Sequence, residues 1–81
     1  MPITELRSKI DKIDVKILRL IEERVETTKK IGEAKRKHDL PIEDKGREDE
    51  IHRRLVSKTK LNKKLIRKIF STMINYCKDN E

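Results

Sequence analysis

Leu6, Ile10, Ile13, Ile17, Leu20, Arg24, Thr27, Ile31, Ala34 and His38 follow one another in alternating steps of four and three residues. That period keeps one stripe on one side of a helix, and no proline interrupts it before Pro41. Asp39-Leu40-Pro41 supplies a stop, so the pattern predicts a first helix over residues 4–38, roughly 50 Å long at 1.5 Å per residue. Asp44 then suits an N-cap, with Glu48, Asp49 and Glu50 favouring the positive end of a second helix. Ile51, Leu55 and Val56 give that helix an apolar face, and its predicted span is 44–58. Residues 59–62 read as a turn in which Asn62 or Thr59 caps a third helix. Leu65, Ile66, Ile69, Phe70, Met73, Ile74 and Cys77 carry that helix over 62–79. With no β-alternation and no repeat, the expected fold class is all-α, one domain over residues 1–81.

The first helix is far longer than a compact chain of this size is wide, roughly 25–30 Å by the usual radius scaling. Two shorter helices cannot enclose its stripe within one globule. The expected remedy is a second copy, with two long helices packed side by side about a two-fold axis in an obligate homodimer.

Composition sharpens this. Charged residues make up 46% of the chain and hydrophobic ones 33%, too thin a core to stabilise a monomer of 81 residues easily. Cys77 is the sole cysteine, so no disulfide compensates, and a reducing, cytoplasmic setting is expected. The longest stretch without a charge, Ile69 to Cys77, is nine residues and too short to span a bilayer. The N-terminal MPITELRSKI lacks the apolar stretch of a signal peptide. The net charge of +7 is local: residues 1–28 sum to zero, 29–38 to +4, 39–50 to −4 and 51–81 to +7. Arg53 to Lys68 holds eight basic residues and no acidic one.

Four charged residues break the simple pattern. Arg24 occupies a stripe position where neighbouring heptads place Ile or Leu. A guanidinium there is paired with an anion, snorkels out of the seam, or lines an anion site. Lys35, eleven residues on, returns to nearly the same face, with the small or polar Thr27, Thr28, Gly32 and Ala34 between. Taken alone it is a surface lysine; beside Arg24 it points to an anion-lined cavity. Gly32 disfavours a helix by about 1 kcal/mol relative to Ala, so close packing or room for a ligand would account for it. Glu48 extends the apolar face of the second helix, beside Arg47, and either accepts a hydroxyl hydrogen bond or complements the helix N-terminus. Arg7 lies about 25 Å from Arg24 along the helix, out of reach of the same small ligand unless a second chain brings it there. His38 and His52 lack partners at metal-site spacing, and no phosphate loop or nucleophile signature occurs, so neither metal nor cofactor is expected.

Together these residues resemble the all-α chorismate mutase family. The likeness runs through LRSKIDKIDVKILRLIEERVETTKKIGEAK at 6–35 and PIEDKGREDEI at 41–51 to the final helix. It implies an intertwined homodimer with two active sites, each completed by an arginine of the opposite subunit. It implies the pericyclic rearrangement of chorismate to prephenate, in aromatic amino acid biosynthesis. By position, Arg24 and the partner subunit's Arg7 would bind the two substrate carboxylates, and Lys35 would reach the ether oxygen of the breaking bond. Glu48, with the backbone N–H of Asp44, would bind the ring hydroxyl, and Arg47 would line the carboxylate region. Cys77 falls where serine is common in bacterial members. Glu81 falls where they carry a glutamine facing the lysine across the ether oxygen, and a glutamate there helps only when protonated. Glu81 is also expected to fray, following the last helix. The connection of helices 2 and 3 is about three residues shorter than in those bacterial enzymes.

Three other readings are weighed, of which a plain dimerisation module would explain the stripe but not Arg24, Lys35 and Glu48 together. An isochorismate pyruvate lyase would share the fold and the paired cations, although Glu48 and the 41–51 motif favour the mutase. A basic helical nucleic-acid binder would use Arg53 to Lys68, with only Phe70 and Tyr76 to stack on bases. The expected partners are therefore chorismate and a second copy, not nucleic acid or membrane. No fused pathway domain is expected, and a separate pathway-enzyme partner is left open.

Overall fold

The computed structural model describes residues 2–41 and 44–81 as three helices, α1 Ile3–Lys37, α2 Lys45–Ser57 and α3 Lys63–Asp79, with no strand among them. Ile42 and Glu43 of the 41–51 motif lie outside the described residues. Each helix boundary falls within one residue of the position expected from the pattern, and local chemistry explains each. α1 ends in a Schellman turn: Asp39 adopts φ 55°, the Leu40 N–H donates to the Lys35 carbonyl at 2.8 Å, and the Asp39 N–H donates to the Arg36 carbonyl at 3.3 Å. Asp44 caps α2, its Oδ1 accepting from the Arg47 N–H at 2.9 Å. Asn62, not Thr59, caps α3, accepting from the Leu65 N–H at 3.1 Å; Thr59 instead accepts from the Leu61 N–H within the turn.

α3 lies between the other two and packs on both, whereas α1 and α2 do not pack on each other. The buried apolar residues are Ile51 of α2 and Ile66, Ile74 and Cys77 of α3; on α1 only Gly32 is buried. Everything α3 covers on α1 lies in the C-terminal half. Every described residue from 2 to 20 is exposed, among them Leu6, Ile10, Ile13, Ile17 and Leu20 of the stripe at 39–65%.

That asymmetry sets the shape. The extents are 55 × 24 × 16 Å, and the radius of gyration is 15.9 Å, against about 12 Å for a compact globule of this length. All eight basic side chains between Arg53 and Lys68 are exposed and divided between α2, the turn and α3, as a solvated face. No helix among the described residues is long and apolar enough to cross a membrane.

With so few buried side chains, each one matters. Ile74→Ala is expected to lower the unfolding free energy by about 2–4 kcal/mol in chemical denaturation, and Leu18→Ala, on an exposed face, by less than about 1 kcal/mol.

Candidate active site

Where the three helices meet they enclose a cavity of about 260 Å³. α1 contributes Arg24, Thr28, Ile31 and Lys35; α2 contributes Arg47, Glu48 and Ile51, with Asp44 at its cap; α3 and the residues after it contribute Ile74, Cys77, Lys78 and Glu81. The spacing of eleven residues that placed Arg24 and Lys35 on one face is what brings both to this cavity. Ile31, Ile51 and Ile74 form its apolar wall, with Ile51 and Ile74 buried and Ile31 48% exposed.

Arg24 resolves its place in the stripe by turning toward α3, where its Nη1 donates to Cys77 Sγ at 3.0 Å. Cys77 is 4% exposed and acts here as an acceptor, so the weakness of a thiol as donor does not limit this contact. Thr28 folds its hydroxyl back on the Arg24 carbonyl at 2.7 Å and takes no part in that contact. Glu48 forms an ion pair with Lys78, Oε1 to Nζ 2.9 Å, with both side chains about three-quarters shielded. The Arg47 guanidinium pairs with Glu50 at 2.7 Å, both half-exposed, so this arginine sits at the rim rather than inside.

Glu81, which follows α3, lies against α1. The main-chain carbonyl of Glu81 accepts from Arg36 Nη1 at 2.6 Å, and Glu81 is half-buried, its Oε2 buried without a hydrogen-bond partner among the described residues. Gly32 makes this approach feasible, because a Cβ there would stand 2.8 Å from the Cβ of Glu81. The expectation of close packing at this glycine therefore acquires a definite neighbour.

This arrangement converges with sequence comparison. The family model described as chorismate mutase type II matches residues 6–81. The chain belongs to that family. Among relatives of the chorismate mutase type, it is 46% identical over 66 residues to the bifunctional chorismate mutase/prephenate dehydratase of Aquifex aeolicus, an alignment covering 82% of this chain and 17% of that protein. It is 38% identical over 79 residues to the chorismate mutase of Methanocaldococcus jannaschii, covering 94% of this chain and 80% of that one. No solved structure matches the chain significantly. Neither the lyase nor the nucleic-acid reading is favoured by the family or these relatives.

Of the site residues expected in this chorismate mutase family chain, Arg24, Lys35, Asp44, Arg47, Glu48, Cys77 and Glu81 all line the one cavity. Arg7 does not; it is exposed on the uncovered half of α1, some 25 Å away along the helix. Two contributors were missed in the sequence, Lys78 and Arg36. Lys78 follows Cys77 by one position and reads as a solvated lysine complementing a helix C-terminus, and only the approach of α2 reveals its partner. A second apolar hollow, about 520 Å³, opens between Ile21 and Val25 of α1 and Met73 and Tyr76 of α3. No group of His, Cys, Asp or Glu among the described residues is arranged to hold a metal ion.

The Arg24–Cys77 contact is testable in isolation. Cys77→Val removes the acceptor and is expected to cost about 1 kcal/mol or more in chemical denaturation, whereas Cys77→Ser retains an acceptor and costs less. Equal effects of the two would remove energetic weight from the contact.

Proposed function

We propose that this chain is a chorismate mutase that binds chorismate in the three-helix cavity and rearranges it to prephenate. The observation that carries the reading is the convergence of Arg24, Lys35 and Glu48 on a cavity sized for a small organic acid, in a chain of the chorismate mutase type II family. Its charge supports this: four cationic side chains, Arg24, Lys35, Arg47 and Lys78, face three acidic ones, Asp44, Glu48 and Glu81. A dianion entering such a site finds cations on opposite walls and an acid for its hydroxyl.

The chemistry asks little more of the protein. A pericyclic rearrangement needs no nucleophile and no net proton transfer, so what remains is conformation and charge. Arg24 fixes one carboxylate, which restricts the flexible dianion to the compact conformer whose reacting carbons approach each other. The C–O bond lengthens ahead of C–C formation, and negative charge grows on the ether oxygen. The Lys35 ammonium, held beside that oxygen, stabilises the transition state more than the ground state. Glu48 accepts the ring hydroxyl hydrogen bond, aided by the Asp44 backbone N–H, and its pairing with Lys78 holds the carboxylate in place. Glu81, when protonated, donates to the ether oxygen opposite Lys35.

The site is shared in this proposal. A second copy covers the N-terminal half of α1, forming an intertwined homodimer over the single domain 1–81, and Arg7 of the partner subunit supplies the cation for the second carboxylate. Two observations support this arrangement. Five stripe residues of α1 are uncovered, and the uncovered half is where Arg7 lies. Burying such a stripe is worth roughly 25 cal/mol per Å².

Purified protein mixed with chorismate is expected to consume it, with prephenate identified by NMR. Lys35→Ala is expected to lower kcat by roughly 10²–10³, about 3–4 kcal/mol, as for other oxyanion donors; near-normal turnover would remove Lys35 from that role. Sedimentation equilibrium at micromolar concentration is expected to give twice the chain mass, and a folded monomer would overturn the shared site.

A further inference from the structure

We infer that Gly32 and Arg36 are positioning residues that clamp Glu81 so that its carboxyl is presented to the reacting ether oxygen. The inference deepens the chorismate mutase reading and rests on it for the part Glu81 plays.

Three independent features of the chain converge on this clamp. The first is space. Gly32 lies in the interior of α1, where glycine is the poorest helix former apart from proline, yet it is the one buried residue of that helix. An alanine methyl there would stand 2.8 Å from the Cβ of Glu81 and 3.3 Å from its main-chain carbon, closer than van der Waals contact allows. The position forgoes helix propensity for the approach of one particular residue.

The second is a hydrogen bond. Arg36 follows Gly32 by four residues and so shares its face. Its Nη1 donates to the Glu81 main-chain carbonyl at 2.6 Å. Glu81 stands two residues beyond α3, and its own N–H reaches the Lys78 carbonyl only at 3.5 Å, so the end of α3 holds it weakly. Gly32 and Arg36 together fix its backbone from the α1 side.

The third is an incomplete carboxyl. Glu81 lines the cavity together with Lys35, Glu48 and Lys78, and its Oε2 is buried without a hydrogen-bond partner among the described residues. A buried polar atom left so is costly, and one that lines a cavity can be completed by a bound molecule. A protonated carboxyl has a donor for an ether oxygen; an ionised one has only acceptors. A carboxyl that must meet one atom of a bound substrate needs its backbone fixed to well under an ångström, since a misplacement of 1 Å can cost roughly a hundredfold. Arg36 and Gly32 touch no substrate atom in this account; they act through Glu81.

The test is a double-mutant cycle with two readouts. Kinetics of G32A, R36A, E81A and G32A/E81A are measured with chorismate, and the order of the Glu81 amide is measured by ¹⁵N heteronuclear NOE. G32A is expected to keep a thermal midpoint at or above the parent's, because alanine favours the helix. Its KM should change little, while kcat falls as far as in E81A, roughly ten- to a hundredfold. G32A/E81A should be no slower than E81A. R36A, which alters an exposed side chain and makes no demand on folding, should lower kcat in the parent but not in the E81A background. Both G32A and R36A should lower the Glu81 NOE. Undiminished kcat in G32A, or losses that multiply in the double variant, would overturn the clamp. A parent protein inert toward chorismate would instead defeat the functional reading. The NOE then decides the clamp alone, and an ordered Glu81 amide in both variants would overturn it.

Discussion

α3 is seventeen residues long and α1 thirty-five, and α3 crosses only the C-terminal half of its neighbour. That mismatch governs the rest of the molecule. Where α3 packs, α1 carries four residues of a cavity, Arg24, Thr28, Ile31 and Lys35, and the bare Gly32 stands against Glu81. Where α3 is absent, the stripe continues unchanged in chemistry but uncovered, and every described side chain up to Leu20 is exposed. One helix therefore presents two surfaces in sequence, a wall of the cavity and an uncovered apolar stripe. The proposed dimer joins the two, since the partner that covers the stripe is the one that delivers the second carboxylate cation.

The cavity itself is organised by pairing. A guanidinium in an apolar seam is accommodated where Cys77 accepts its hydrogen bond, and an acid on the apolar face of α2 where Lys78 pairs with it. These pairings place cations and acids around an apolar wall. For a reaction whose barrier is set by conformation and by charge growth on one oxygen, such placement of charge is the main catalytic resource a protein has.

Much of this was legible in the chain. Period and punctuation located all three helices, because Asp44, Asn62 and the Asp39 turn act locally through hydrogen bonds within a few residues. Arg24, Lys35 and Glu48 stood out because each places a charge on or beside an apolar face, and the cavity is where those faces meet. What the sequence hid depends on distant chain segments. Lys78 did not stand out because its partner lies on another helix, and Arg36 did not because its acceptor is 45 residues away. Glu81 was expected to fray, as residues beyond a helix do when nothing holds them; its contacts with Gly32 and Arg36 of α1 were not legible, because they lie 45 or more residues away.

A shared site has a consequence that no site built from one chain can imitate. Arg7→Ala and Arg24→Ala would each empty both sites of a homodimer of one cation. Mixing the two inactive proteins under conditions of subunit exchange would form heterodimers in which one site regains both arginines and the other lacks both. The account predicts recovery to about a quarter of the parent's specific activity toward chorismate at equal mixing, since half the dimers are mixed and one of their two sites is whole. A mixture no more active than its components, or an Arg7→Ala protein with full activity by itself, would contradict it.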